Sequence, residues 1–192
     1  MAKKSSKQIL AETMMELAKT KPVERITIRE IVQSAGLSTQ TFYNHFADRD
    51  ALILYVHTSA LDVLIDKLYS DDYDFRDMIH EYLRFYSDHL DYLKMAMIYS
   101  HGKTSHFLDF GNYAVEQTCK YLCHVMNVEQ LPEDMRCFVR IHVFGQIYMY
   151  AHWAWTDAKI PLNQLEDYLV RATPPALAPY FYRECRETAA EA

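Results

Sequence analysis

The chain of 192 residues carries a net charge of −6, is 50% hydrophobic and 14% aromatic, and contains only four glycines. So many apolar and aromatic side chains exclude an intrinsically disordered chain, and so little glycine argues against an architecture of sheets and hairpins. The charge is unevenly spread: residues 1–50 hold eight Lys/Arg against six Asp/Glu, whereas the remainder holds twelve against twenty.

A mildly basic head on an acidic body suits a protein that meets phosphate at one end only. The first residues, Met-Ala-Lys-Lys-Ser-Ser-Lys, lack the apolar stretch of a secretion signal. The longest apolar-rich run, Ile141–Trp155, is too short for a membrane span and contains His142, Gln146 and His152. Cys119, Cys123, Cys137 and Cys185 fit no disulfide framework. These features predict a cytoplasmic protein with no membrane partner.

Taken in chain order, apolar periodicity predicts helices at about 5–20, 27–35, 38–45, 48–70, 74–89, 90–101, 104–127, 133–157 and 162–172, with a last one near 176–187. Thr27 followed by Glu30 forms a capping box, and Ser38, Asp48 and Asp74 can each accept from free amides of a first turn. Pro132 stands just ahead of a helix, where its missing N–H costs least. In 75–89 the apolar residues Phe75, Met78, Ile79, Tyr82 and Tyr86 share one face, as a surface helix requires. Residues 135–155 are apolar nearly all round. A soluble helix of that kind must be covered on most sides, which predicts a second subunit against it.

The segment from Thr27 to Phe46 reads as two short helices joined by a tight turn. Ile28, Ile31, Val32 and Ala35 face inward on the first. Gly36 supplies a positive-φ turn, Leu37 plugs the angle, and Ser38 caps the second helix, whose Phe42 and Phe46 pack inward. Thr39, Gln40, Thr41, Tyr43, Asn44 and His45 are left as an outward, hydrogen-bonding surface. Such a helix fits a major groove, where Thr and Gln can read base edges and Tyr and His can reach phosphates. The positive end of its dipole adds attraction for phosphate.

The pattern Thr-x3-Ile-x3-Ala-Gly-Leu-Ser-x4-Tyr-x-His-Phe, followed by Asp48-Arg49-Asp50-Ala51-Leu52, resembles the DNA-binding region of the TetR family over roughly residues 7–54. By position, the resemblance implies that Ser38, Thr39, Gln40, Thr41, Tyr43 and Asn44 lie in the recognition helix. It puts Thr27 and Arg29 where the preceding helix touches the DNA backbone, and Arg49 where the family usually has a phosphate-contacting lysine. Lys3, Lys4 and Lys7 would form a flexible arm toward the DNA. Gln40 replaces a frequent glycine and Val32 a frequent alanine; the first bears on base preference, the second on packing.

The resemblance also implies an all-α fold: a three-helix helix-turn-helix domain at 1–50, then a helical ligand-sensing bundle at 51–192 that dimerises. Gly145, Trp153, Trp155, Pro161 and Leu165, with Pro174 and Pro175, are reminiscent of the branch related to dihydroxyacetone-kinase regulators. The expected function is a homodimeric, ligand-responsive regulator, a repressor, on a near-palindromic operator in double-stranded DNA.

Aromatic, methionine and histidine positions nominate Met95, Tyr99, Phe107, Phe110, Tyr113, His142, Tyr148 and His152 for an effector pocket. Cys119 and Cys123 share a helical face while His124 turns away by about 100°, so no metal site is expected. No cofactor motif or nucleophile–base pattern points to an enzyme. The rival reading is a helical small-molecule-binding or interaction protein whose DNA-binding head is vestigial. A steep salt dependence of DNA affinity separates the two.

Overall fold

The structure, a computed structural model, describes residues 4–98 and 106–185. Among them every regular element is helical: α1 Ser6–Ala18, a 3-10 turn Val23–Arg25, α2 Ile28–Ala35, α3 Thr39–Tyr43, α4 Arg49–Lys67 and α5 Phe75–Asp88. These are followed by α6 Leu90–Ile98, α7 His106–Met126, α8 Glu133–Trp155, α9 Leu162–Arg171 and α10 Ala178–Phe181. The all-α expectation therefore holds. The recognition helix is shorter than expected, ending at Tyr43, although His45 and Phe46 continue the turn by donating their amides to the Phe42 carbonyl at 2.9 Å. The last expected helix is interrupted: α10 ends at Phe181, Tyr182 is extended, and residues 183–185 are helical again.

The chain forms two compact units. The first comprises Met1–Ser59 with His89–Phe110. Ser5 starts α1 with a capping box, its Oγ accepting from the Gln8 amide at 3.3 Å while Gln8 Oε1 accepts from the Ser5 amide at 3.0 Å. Leu10, Met14, Ile26, Ile31, Phe42, Leu52 and Ile53 are fully buried in this core. Tyr92 and Ala96 of α6 close it from some forty residues further along, so its apolar cluster reaches beyond the expected 1–50 segment.

The second unit comprises Ala60–Asp88 with Gly111–Ala192. The inward face of α5 is the one its periodicity predicted, with Leu83 added, and α5 packs against α9, whose Leu165 and Leu169 are buried. His80 Nδ1 lies 2.8 Å from Glu166 Oε2 across that contact. The Phe75 ring stacks on Phe181 of α10 at 3.7 Å. Asp74, which the sequence marks only as a cap, is buried because it serves two segments. Its Oδ1 accepts from the Arg76 amide at 2.8 Å, and its Oδ2 accepts from the Arg183 amide at 3.2 Å.

Where α7 crosses α8, Gly111 lets the Phe144 ring approach its Cα directly; a Cβ there would sit 2.3 Å from Phe144 Cε1. Helix α8 buries Val139, His142, Val143, Gln146, Ile147, Tyr150 and Trp153. Its opposite face leaves Ile141, Tyr148 and Trp155 exposed at 69%, 60% and 67%. After α8 the chain reverses through two consecutive left-handed residues, Asp157 and Ala158, at φ 57° and 52°. Trp153 Nε1 donates to the Ile160 carbonyl at 2.8 Å across this turn. No helix among the described residues is long and apolar enough to cross a membrane.

Candidate nucleic-acid interface

The helix-turn-helix is built by local chemistry. Thr27 Oγ1 accepts from the Glu30 amide at 3.2 Å, and Glu30 Oε2 accepts from the Thr27 amide at 2.8 Å, which is the predicted capping box. The Lys21 ammonium also binds Glu30; together with the Thr27 bonds it holds that carboxyl near a pKa of about 2. Gly36 ends α2 at φ +65°, a conformation that costs a side chain but not glycine. The Leu37 amide then donates to the Val32 carbonyl at 2.9 Å, fixing the turn. Ser38 Oγ accepts from the Thr41 amide at 3.0 Å and starts α3.

This places Ser38, Thr39, Gln40, Tyr43, Asn44 and His45 on one exposed surface, with Thr41 half-buried beside them. Gln40 Nε2 donates to Asn44 Oδ1 at 2.9 Å, so the two amides are aligned before any partner arrives. Ser38 Oγ and Thr41 Oγ1 are paired at 2.8 Å. Phe42 is fully buried, and its ring meets the Tyr43 ring edge-on at 5.5 Å, bracing Tyr43 while leaving it 54% exposed. Thr27 and Arg29 are exposed at the start of α2.

Three expected contact residues stand differently from the sequence reading. Lys7 lies within α1, with its ammonium 4.0 Å from the Tyr55 ring centre, so it is a cation–π brace and not part of a loose arm. Lys4 pairs with Glu12 at 2.7 Å. Arg49 turns back into the head, where Nη1 donates to the Glu24 carbonyl at 2.6 Å and the Ile26 carbonyl at 3.3 Å. The backbone between α1 and α2 thus takes donors that a phosphate-contacting lysine would leave free. Lys3 lies outside the described residues.

The expected pocket residues are divided between the two units. Met95 packs on the core of the first unit, and Phe110 is buried there beside His57, at 5.4 Å between ring centres. Phe107 is half-buried, and Tyr99 lies outside the described residues. Tyr113 donates to Asp62 at 2.5 Å, and burial with that neighbouring carboxylate pushes its pKa up to about 12. Tyr148 and His152 are exposed, stacked on each other at 6.1 Å; helical phase turns them about 120° and about 80° around α8 from the buried His142.

Among the described members of that set, His142 alone is a deeply buried polar group. Burial drives its imidazole pKa down to about 4. Its Nε2 and the Gln146 Nε2 one turn later are buried with no hydrogen-bond partner among the described residues. The open cleft of the second unit, about 620 Å³, lies elsewhere, between α7 and α8, and is lined by none of the eight. The signal for it in the sequence is the spacing of Arg136 and Arg140, which puts two guanidiniums one turn apart. Among the described residues no three His, Cys, Asp or Glu side chains are grouped as a metal site would need.

Residues 9–56 match the family model of bacterial regulatory proteins, tetR family. No curated protein matches the chain. Among solved structures, the fold is similar to the dihydroxyacetone kinase operon activator DhaS, with a TM-score of 0.64 at 17% identity over 92% of this chain and 97% of that one. It is similar to a TetR transcriptional regulator from Rhodococcus sp. RHA1, with a TM-score of 0.64 at 16% identity over 88% and 93%. It is also similar to the regulator FadR from Bacillus subtilis in complex with stearoyl-CoA, with a TM-score of 0.56 at 11% identity over 84% and 94%.

Proposed function

We propose that this chain is a TetR-family transcriptional regulator, a ligand-responsive repressor binding a near-palindromic operator as a homodimer; the family match at residues 9–56 and the similar fold support this reading. The observation that carries this reading is the polar face of α3. Thr39, Gln40, Tyr43 and Asn44 stand exposed on a helix whose start and end are fixed by Ser38 and Phe42. Side chains held this way can meet base edges with little further loss of freedom. Thr27 and Arg29 would meet the flanking phosphates, which set register and not sequence preference.

The dimer reading draws on α8. Ile141, Gly145, Tyr148, His152 and Trp155 follow one another at helical spacing and are all exposed, giving an apolar and aromatic stripe of four turns. A second copy of the same helix is a fitting cover, since a two-fold interface pairs a patch with itself. The effector reading draws on His142 and Gln146. Leaving both polar atoms buried and unbonded costs on the order of 1–3 kcal/mol each, which a ligand supplying hydrogen bonds would recover. An effector acts on DNA affinity only through its preference between two head separations.

Footprinting on the DNA upstream of the chain's own coding region tests the reading. The expected footprint is two-fold symmetric, with half-sites about one helical turn apart or a multiple of it. A reporter behind that site should be silenced by the protein; stimulation would reverse the proposed sign. Protection of one half-site by one subunit would contradict the homodimer.

A further inference from the structure

The α7–α8 cleft carries a recognition chemistry that the DNA interface and the buried His142–Gln146 pair do not use. Its volume, about 620 Å³, falls within the ~300–1,000 Å³ usual for small-molecule sites. Val115 and Leu131, both buried, form an apolar floor, and the half-buried Cys119 thiol lies beside them. Cys123 adds a second thiol, turned to the Glu129 carbonyl at 3.9 Å.

The charged rim is unbalanced in its pairing. Lys120 is already satisfied by Glu116 at 2.7 Å. Arg140 reaches only the Asn112 side-chain oxygen, at 3.5 Å, and neither Arg136 nor Arg140 forms an ion pair with a carboxylate among the described residues. Both guanidiniums are near enough to Cys119 to favour its thiolate, although burial prevails and pushes that thiol up. Glu116 and Glu129 also line the cleft, but neither pairs with Arg136 or Arg140 among the described residues; the two guanidiniums, one helical turn apart above an apolar floor, form a fork for a planar or tetrahedral anion.

We propose that this cleft binds a small organic anion, a carboxylate or phosphate monoester on an apolar body, with Arg136 and Arg140 holding the anionic end and Val115, Leu131 and Cys119 receiving the apolar one. The site is separate from the proposed effector contacts at His142 and Gln146, and it does not depend on DNA binding. By bridging Arg136 and Arg140 of α8 to Val115 and Cys119 of α7, an occupant ties two helices of the second unit together.

The two cysteines make the cleft its own reporter. Octanoate, octyl phosphate and octan-1-ol serve as probes on the full chain, with titration calorimetry for affinity and mass-spectrometric iodoacetamide labelling for location. The expected result is saturable binding of the anions, one per protomer, with Cys119 and Cys123 alkylated at least fivefold more slowly while exposed Cys137 is unaffected. Octan-1-ol should bind at least tenfold more weakly than either anion. Preference between octanoate and octyl phosphate assigns the anionic group.

Arg136→Gln/Arg140→Gln should weaken both anions at least tenfold, and Arg171→Gln, a surface control, should leave them unchanged. If the double glutamine variant does not fold, Arg136→Lys/Arg140→Lys retains the charge and loses the fork, and should still weaken octanoate several-fold. Equal binding of octan-1-ol, or anion binding that does not protect Cys119 and Cys123, overturns the proposal. So does affinity unchanged in the folded double variants.

Discussion

Replacing Gly111 by alanine tests the α7–α8 crossing with a sign as well as a size. In a helix open to solvent, alanine is favoured over glycine by about 1 kcal/mol. Here the added Cβ would lie 2.3 Å from Phe144 Cε1 and 2.5 Å from Phe144 Cζ, more than 1 Å inside an ordinary contact of about 3.5–4.0 Å. Either the ring leaves its rotamer or the helices separate, and overpacking of this kind costs about 1–3 kcal/mol. With two ring atoms overlapped, the upper part of that range applies. The net expectation is destabilisation by about 1–2 kcal/mol, or roughly 2–8 °C in Tm for a chain of this size. Urea unfolding at fixed protein concentration measures it. In a Phe144→Leu background the obstacle is gone, and the same Gly111→Ala change should become neutral or stabilising. If Gly111→Ala raises the urea midpoint equally in both backgrounds, the close approach is not what fixes this crossing.

Three further outcomes follow from particular contacts. Thr27→Ala removes the capping box of α2 and should lower stability by about 1 kcal/mol in urea unfolding, with Thr27→Ser restoring most of it. Ala158→Gly relieves a left-handed residue at φ 52° and should raise Tm, the gain being about 1 kcal/mol; an unchanged or lower Tm would count against strain at that turn. His142 is held neutral, with a folded-state pKa near 4 against an ordinary 6.5. The unfolded chain therefore takes up the proton first. The stability gained from the neutral ring is full above about pH 6.5 and lost as pH falls toward 4, at up to about 1.4 kcal/mol per pH unit. His142→Leu should flatten that part of the urea-midpoint profile, and a parallel profile would show that another group sets the slope.

The parts of the molecule written in short-range chemistry were readable from the sequence. The Thr27–Glu30 box, Gly36 and Ser38 each act within four residues, so spacing alone defines the helix-turn-helix. The α5 face followed from a simple 3.6-residue period. What escaped depends on contacts distant along the chain. Tyr92 and Ala96 complete the head core because α6 packs on α1, and no local pattern announces that. Arg49 stands at a phosphate-contacting position by spacing, but its guanidinium lies on the Glu24 and Ile26 carbonyls, a contact made some 25 residues back along the chain. Residue type marks pocket candidates but does not give their phase on a helix. His142 points inward while Tyr148 and His152, six and ten residues later, face outward.

The central claim, that the α3 surface reads DNA sequence, is tested most directly by competition binding at two salt concentrations. Wild type and a Thr39→Ala/Gln40→Ala/Tyr43→Ala variant of equal helicity would be titrated with the upstream operator fragment and with a scrambled duplex. Wild type is expected to prefer the operator by about 10³-fold or more, with affinity falling steeply as salt rises. The variant should lose most of that preference while keeping salt-sensitive binding to both duplexes. A variant that still distinguishes operator from scrambled DNA as well as wild type does, or a folded wild type that binds neither duplex at low salt, would contradict the account.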